Sequence, residues 1–192
     1  MKRVLGAVLT AALLVAGCST GKDAVVEGGT FSFVSPGGKL DITYPEAQRQ
    51  NAPVLAGDDL MHEGKQLSIA DFPGKVVVVN LWGQWCGPCR AEAPELETAS
   101  KQMAPVGGQV VGLDVRDPAR EVAQDFIRDR GITYPSIWDP TGRVLLQLQG
   151  YPRNLIPSTI VLDKKHRVAA VFLRQVLASD LMPTVQRLVT EK

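Results

Sequence analysis

Apolar residues fall into two patterns along this chain. Val76-Val77-Val78-Val79 is an unbroken β-branched run; residues 76–81 read as a central strand covered on both faces, and residues 109–115 as a second buried strand. Between and beyond them the apolar spacing turns helical. A segment from Arg90 carries Ala91, Leu96 and Ala99 among acids. Pro94 inside it is expected to kink the helix, because proline offers no N–H and crowds the preceding turn. Asp117-Pro118 reads as an N-cap followed by proline at the first helical position. Val122, Phe126 and Ile127 give that helix its apolar face, and Gly131 ends it. Ser179 caps a last helix, with Leu181, Val185, Leu188 and Val189 toward the core and Pro183 early in it. Residues 158–162 and 168–173 read as strands, joined by a hairpin turn at Asp163-Lys164-Lys165-His166. Leu67-Ser68-Ile69 reads as a short strand. Phe72-Pro73-Gly74-Lys75 and Asp139-Pro140-Thr141-Gly142 read as turns. The order β–α–β–α–β–β–α predicts an α/β fold, a mixed sheet with helices on both faces.

The start of the chain is patterned otherwise. Met1-Lys2-Arg3 is basic, and residues 4–17 are uncharged and mostly apolar. That is the layout of a secretory signal, and the run is shorter than the roughly 20 residues that span a bilayer. Leu14-Val15-Ala16-Gly17-Cys18 resembles a bacterial lipobox. The resemblance implies cleavage after Gly17 and a lipid on Cys18, which holds the protein to a membrane surface without a spanning helix. The alternative is an ordinary signal with Cys18 incidental. Residues 18–50 follow as a tether and N-terminal extension, punctuated by Gly28-Gly29 and Pro36-Gly37-Gly38. Phe31, Phe33 and Val34 are a candidate short strand that packs on the domain. Gly37-Gly38-Lys39 lacks the spacing and the following helix of a phosphate loop. One domain occupies residues 51–192.

Charge excludes one class of partner. With the signal removed, 19 of the 21 basic residues face 20 acidic ones, and the net charge is −1. No basic field exists to hold nucleic acid.

The chemistry concentrates at Trp85-Cys86-Gly87-Pro88-Cys89, between a buried strand and a helix. Unpaired N–H groups and the helix dipole favour negative charge at a helix start. A thiolate there is stabilised, and the thiolate is the reactive form. Cys86 is expected at the exposed end as the attacking thiol. Cys89, one turn on and more buried, closes the ring. A zinc site needs further ligands, and only Cys18, His62 and His166 are present elsewhere, so no metal is assigned. Haem attachment needs histidine after the second cysteine, where Arg90 stands. A purely stabilising disulfide gains little from so short a loop. No cofactor beyond the Cys86–Cys89 pair is assigned. With Cys18 lipidated, the odd cysteine count leaves one redox pair in an oxidising compartment.

Residues 74–94, Gly-Lys-Val-Val-Val-Val-Asn-Leu-Trp-Gly-Gln-Trp-Cys-Gly-Pro-Cys-Arg-Ala-Glu-Ala-Pro, resemble the TlpA/ResA-like thioredoxins, membrane-tethered bacterial oxidoreductases outside the cytoplasm. The likeness spans about residues 51–192. It implies a thioredoxin-like fold, a central mixed β-sheet flanked by helices, with an N-terminal extension. It also implies a cis peptide at Ile156-Pro157, lying against the cysteine pair and exposing backbone to a partner peptide. Asn80 stands where cytoplasmic thioredoxins have a buried aspartate, and Asn cannot take the proton of Cys89. Glu92, matching the glutamate of ResA-like members, is the candidate substitute, half-buried and on the same helical face as Cys89. Its other reading is a complement to the first helical turn. Trp85 offers an apolar landing surface, with Gly87, Pro88, Ile156 and Pro157 completing the substrate-binding set. Trp82 is assigned to the core.

The resemblance implies a reductase on the extracytoplasmic face of the bacterial membrane, acting on protein disulfides, with oxidised apocytochrome c the first candidate. Electrons come from a membrane thiol transporter of the CcdA or DsbD kind. The Gly-Pro pair matches that of thioredoxin, whose potential is about −270 mV. A disulfide-forming oxidase of the same fold and a thioredoxin-like adaptor with idle cysteines remain open. A peroxidase would need Pro-x-x-x-Thr/Ser-x-x-Cys around Cys86, which the sequence lacks.

Overall fold

The computed structural model describes residues 30–34 and 36–191. The signal at 1–17, the lipidation candidate Cys18 and the glycine pair Gly28-Gly29 lie outside these residues. Among the described residues, no helix is long and apolar enough to cross a membrane.

In chain order the elements are β1 (Asp41–Thr43), β2 (Ala56–Asp59), β3 (Gln66–Ser68), β4 (Val76–Trp82), α1 (Gly87–Met103), β5 (Gly108–Val115), α2 (Arg120–Asp129), β6 (Ser136–Asp139), β7 (Ser158–Leu162), β8 (Val168–Phe172) and α3 (Ala178–Thr190). They build one eight-stranded sheet in the order β1-β8-β7-β4-β5-β6-β2-β3. β4, β5 and β6 run parallel. β7 is antiparallel to β4, and β8 to β7. The expected mixed sheet flanked by helices is therefore present. β4 is buried along its whole length because neighbours pair on both of its edges and both of its faces are covered.

Pleat alternation sorts its side chains. Val76, Val78 and Trp82 face a core built with all three α-helices, through Leu96, Ala99, Phe126, Leu181 and Val185. Val77, Val79 and Leu81 face the opposite core, made with Phe31, Phe33, Leu55, Leu145, Leu148 and Tyr151. This differs from helices on both faces. The crossovers β4–α1–β5 and β5–α2–β6 step in the same direction across parallel strands, and right-handed connections then put both helices on one side. The second face is covered by the N-terminal extension and the β6–β7 connection, which carries a 3₁₀ turn at Leu145–Gln147.

Local departures have local causes. Phe31 and Phe33 are buried, but residues 30–34 make only isolated bridges, to Asn51 and Gln149, and Val34 is exposed. α1 begins at Gly87 and runs unbroken through Pro94. Pro94 lies on the solvent side of α1. Ala91 and Val122 are exposed rather than in the helix cores, and Ala123 takes the inward position on α2. Asp117 does not cap α2, which starts at Arg120 after Ala119. At α3 it is Asp180, not Ser179, that accepts a cap hydrogen bond, from the Leu177 N–H at 2.8 Å. The short strands β1, β2 and β6 carry no pattern long enough to be read from sequence. The hairpin turn at 163–166 forms as expected, with the His166 N–H donating to the Asp163 carbonyl at 2.8 Å.

Candidate active site: a disulfide at a helix start

Strand β4 delivers the chain to residues 83–86, and α1 begins directly after. Cys86 is the N-cap of α1. Cys86 and Cys89 are joined in a disulfide. The Cys89 N–H points at Cys86 Sγ, 3.2 Å away. That N–H is one of the orphan donors of a helix start, and it is aimed at the sulfur that would carry negative charge after reduction.

The loop before Cys86 is held at several points. The Gln84 N–H donates to Asp117 Oδ2 at 2.7 Å, which is the contact that draws Asp117 away from α2. Arg90 Nη1 donates to the Gln84 carbonyl at 2.9 Å. Trp85 Nε1 donates to the Val115 carbonyl at 2.9 Å, yet 45 % of Trp85 stays exposed. Its indole folds back over Gly83, where a Cβ would sit 2.4 Å from Nε1, so only glycine fits. Trp82 is in the core beside Phe126, as expected.

Cys86 is only 4 % exposed, against the expectation of an exposed sulfur. The covering group comes from far along the chain. Ile156 presents its carbonyl 3.7 Å from Cys86 Sγ, and the Ile156–Pro157 peptide is cis, as the family resemblance implied. Gly87 and Pro88 are exposed. Beside them opens a groove of about 350 Å³ lined by Pro88, Asn154, Leu155, Ile156, Pro157 and Gln175, together with Leu173 and the ion-paired Arg174. The site residues read from sequence, Trp85, Cys86, Gly87, Pro88, Cys89, Ile156 and Pro157, thus belong to one surface region.

Glu92 lies beneath it and is fully buried, not half-buried. Its Oε1 accepts from Asn80 Nδ2 at 2.8 Å and its Oε2 from the Val176 N–H at 2.9 Å. Asn80 also donates to Thr159 Oγ1 at 3.1 Å, across the β4–β7 ladder. Burial pushes the Glu92 carboxyl up to about 7, against the lowering effect of those two donors. Glu92 is three residues beyond Cys89, so both face the buried side of α1. The reading of Glu92 as a mere complement to the helix start does not fit a carboxyl sealed inside the core.

A second buried acid was not recognised from sequence. Asp114 is fully buried at the end of β5, and among the described residues neither of its oxygens receives an N–H donor. Burial first, and then the nearby Asp117 and Asp139, push its carboxyl up to about 10. An acid inside the apolar run 109–115 was the available signal. Among the described residues, no three His, Cys, Asp or Glu side chains form a metal-holding group.

A family profile for AhpC/TSA matches residues 48–171. The chain belongs to the AhpC/TSA family. Within this thioredoxin-fold family, the peroxide-reactive pattern would need proline at position 79 and Thr or Ser at 83, where this member has Val79 and Gly83. The chain is 50 % identical to a secreted thiol-disulfide isomerase from Corynebacterium glutamicum, with a TM-score of 0.83, covering 85 % of this chain and 100 % of that one. A DsbF homologue from Corynebacterium diphtheriae is 48 % identical, with a TM-score of 0.79, covering 83 % and 100 %. The thiol-disulfide oxidoreductase ResA of Bacillus subtilis is 26 % identical over 125 residues, 65 % of this chain and 66 % of that protein, so the match spans about two thirds of that relative. Fold, disulfide and relatives together make this family member a thiol–disulfide oxidoreductase.

Asp114 makes a testable demand on stability. Its folded value is raised from the ordinary 3.8 to about 10, so between these values the folded state keeps a proton that the unfolded chain has lost. Stability is intact below the lower value and drains as pH rises toward the upper one. Glu92 drains stability in the same sense, but only between 4.5 and about 7. Denaturant melts of the oxidised protein between about pH 7 and 9 therefore isolate Asp114. The wild type should lose stability over that interval, and Asp114→Asn should lose distinctly less. Parallel curves for the two proteins would contradict the assignment.

Proposed function

We propose that the protein is a lipid-tethered dithiol reductase on the extracytoplasmic face of the bacterial membrane. The observation that carries the reading is Cys86 as N-cap of α1, with the Cys89 N–H aimed at its sulfur. In the reduced enzyme the Cys86 thiolate attacks one sulfur of a substrate disulfide. A new S–S bond forms to Cys86, and the second substrate sulfur leaves as a thiol after taking up a proton. Cys89 loses its proton to Glu92 and attacks Cys86 Sγ. The mixed disulfide breaks, the first substrate sulfur leaves as a thiol, and Cys86–Cys89 is oxidised. Two electrons have passed to the substrate. A membrane thiol transporter of the CcdA or DsbD kind returns them.

The substrate peptide crosses Trp85 and lies along Ile156 and cis-Pro157, over Gly87 and Pro88. Oxidised apocytochrome c is the substrate favoured by similarity to ResA. The lipid is carried on Cys18, after removal of residues 1–17, and the extension from 18 to 50 links it to the domain. A second reading is favoured by likeness to the secreted isomerase. In it the same pair forms or rearranges disulfides in secreted proteins. Potential separates the two: about −270 mV suits the reductase, and about −120 mV suits an oxidase.

Cys89→Ser tests the substrate. Lacking the resolving thiol, the variant should hold its natural partner covalently through Cys86. Recovery of apocytochrome by mass spectrometry supports the reading, and a broad set of unrelated secreted proteins with no apocytochrome removes it. Glu92→Gln tests the proton acceptor. Resolution of a preformed mixed disulfide should slow by about 100-fold, the low end of the usual range for a general base. The inflection of its pH profile near 7 should vanish, whereas loss of packing alone would leave that inflection in place.

A further inference from the structure

Most described arginines meet a carboxylate. Arg49, Arg120, Arg128, Arg167, Arg174 and Arg187 each form an ion pair within 4 Å. Five others, Arg90, Arg116, Arg130, Arg143 and Arg153, are exposed and form no ion pair among the described residues. Arg130 lies over the Phe126 ring instead, and three of the five, Arg90, Arg116 and Arg153, are placed by their neighbours around the disulfide. Arg90 is bonded to the Gln84 carbonyl, two residues before Cys86. Arg116 follows Val115, whose carbonyl holds the Trp85 indole, and it donates to the Arg153 carbonyl. Arg153 stands three residues before Ile156, whose carbonyl faces Cys86 Sγ.

The acids of this region do not balance them at the surface. Asp114, Asp117, Asp139 and Glu92 are all buried, and Asp114 holds its proton. A protein whose overall charge is close to zero thus presents unpaired positive charge around its reactive sulfur. The same region carries the exposed Trp85 indole and, lining the groove, Leu155, which is 41 % exposed. An apolar strip with a cationic rim suits an extended peptide that places its cysteine at Cys86 and carboxylates on either side.

The geometry points to Arg90, Arg116 and Arg153 as a specificity rim that selects partner chains whose target cysteine is flanked by Asp or Glu. This deepens the proposed reductase reading and rests on it. The partner's carboxylates meet guanidiniums that nothing else neutralises, which speeds encounter more than it tightens the final complex. The thiol exchange itself is unchanged: the substrate disulfide gains two electrons, and Cys86 and Cys89 lose them.

Three synthetic peptides test it, each with one cysteine blocked as a disulfide with a small neutral thiol. The flanking residues are aspartates, serines or lysines. Each rate with the reduced protein is divided by the rate with dithiothreitol, which removes the peptide's own reactivity. The aspartate peptide should be reduced about 10-fold faster than the lysine peptide at low salt, and the ratio should shrink as salt screens the charges. The double variant Arg116→Glu/Arg153→Glu should invert the ratio, and Arg116→Lys/Arg153→Lys should keep it. Because each ratio is internal to one protein, partial loss of folded material does not disturb it. An equal ratio in wild type and charge-reversed protein overturns the rim. So does loss of binding to phosphatidylglycerol vesicles in the charge-reversed variant with an unchanged peptide ratio, since the arginines then serve a lipid surface. Failure of the wild type to reduce even the serine peptide faster than a free thiol would fell the reductase reading, and the rim with it.

Discussion

A single N–H directed at a sulfur organises this molecule. The Cys89 amide lies 3.2 Å from Cys86 Sγ at the first turn of α1. It is unpaired within the helix by the geometry of any helix start, so it costs nothing to leave it facing a thiolate. For that contact to exist, β4 must end at the right place and α1 must begin directly after the short loop 83–86. The long valine run secures the first condition, because β4 is fixed by neighbours on both edges. The pins on Gln84 and Trp85 secure the second. An extended helix behind the sulfur then supplies the dipole that the chemistry uses.

Two buried acids frame this arrangement from below, and they differ in kind. Glu92 receives two N–H donors, which offset much of the penalty of burial and leave it near neutrality. Asp114 receives none and stays protonated far above neutrality. The first changes protonation near neutrality, and the second does not. Asp117 relates the second acid to the active loop, since it raises the Asp114 carboxyl and its Oδ2 accepts the Gln84 N–H. The contrast shows why a count of buried carboxylates says little until their donors are named.

The reading of the sequence succeeded where a residue's neighbours in the chain decide its fate. β4, β5 and the hairpin at 163–166 are such cases, and so is the Cys-x-x-Cys turn at a helix start. It went wrong where a partner far along the chain decides. Asp117 has the local chemistry of a cap, but the Gln84 N–H, 33 residues away, claims it. Cys86 looks exposed from its position at a helix end, yet the Ile156 backbone, 70 residues on, covers it. Glu92 looked half-buried because Asn80 and Val176 close over it only in the fold. The short strands β1, β2 and β6 hold three or four residues each, too few for a period to show. The cis peptide at Pro157 has no signature in composition, and only family resemblance pointed to it.

The most direct test of the central claim is a pH titration of the Cys86 thiol in the reduced protein, followed by its rate of alkylation in the Cys89→Ser background and by thiolate absorbance in the wild type. If the start of α1 stabilises the anion, the thiol ionises well below the value of about 8.5 found for free cysteine. Ionisation at that ordinary value, with alkylation no faster than free cysteine at neutral pH, would contradict the account.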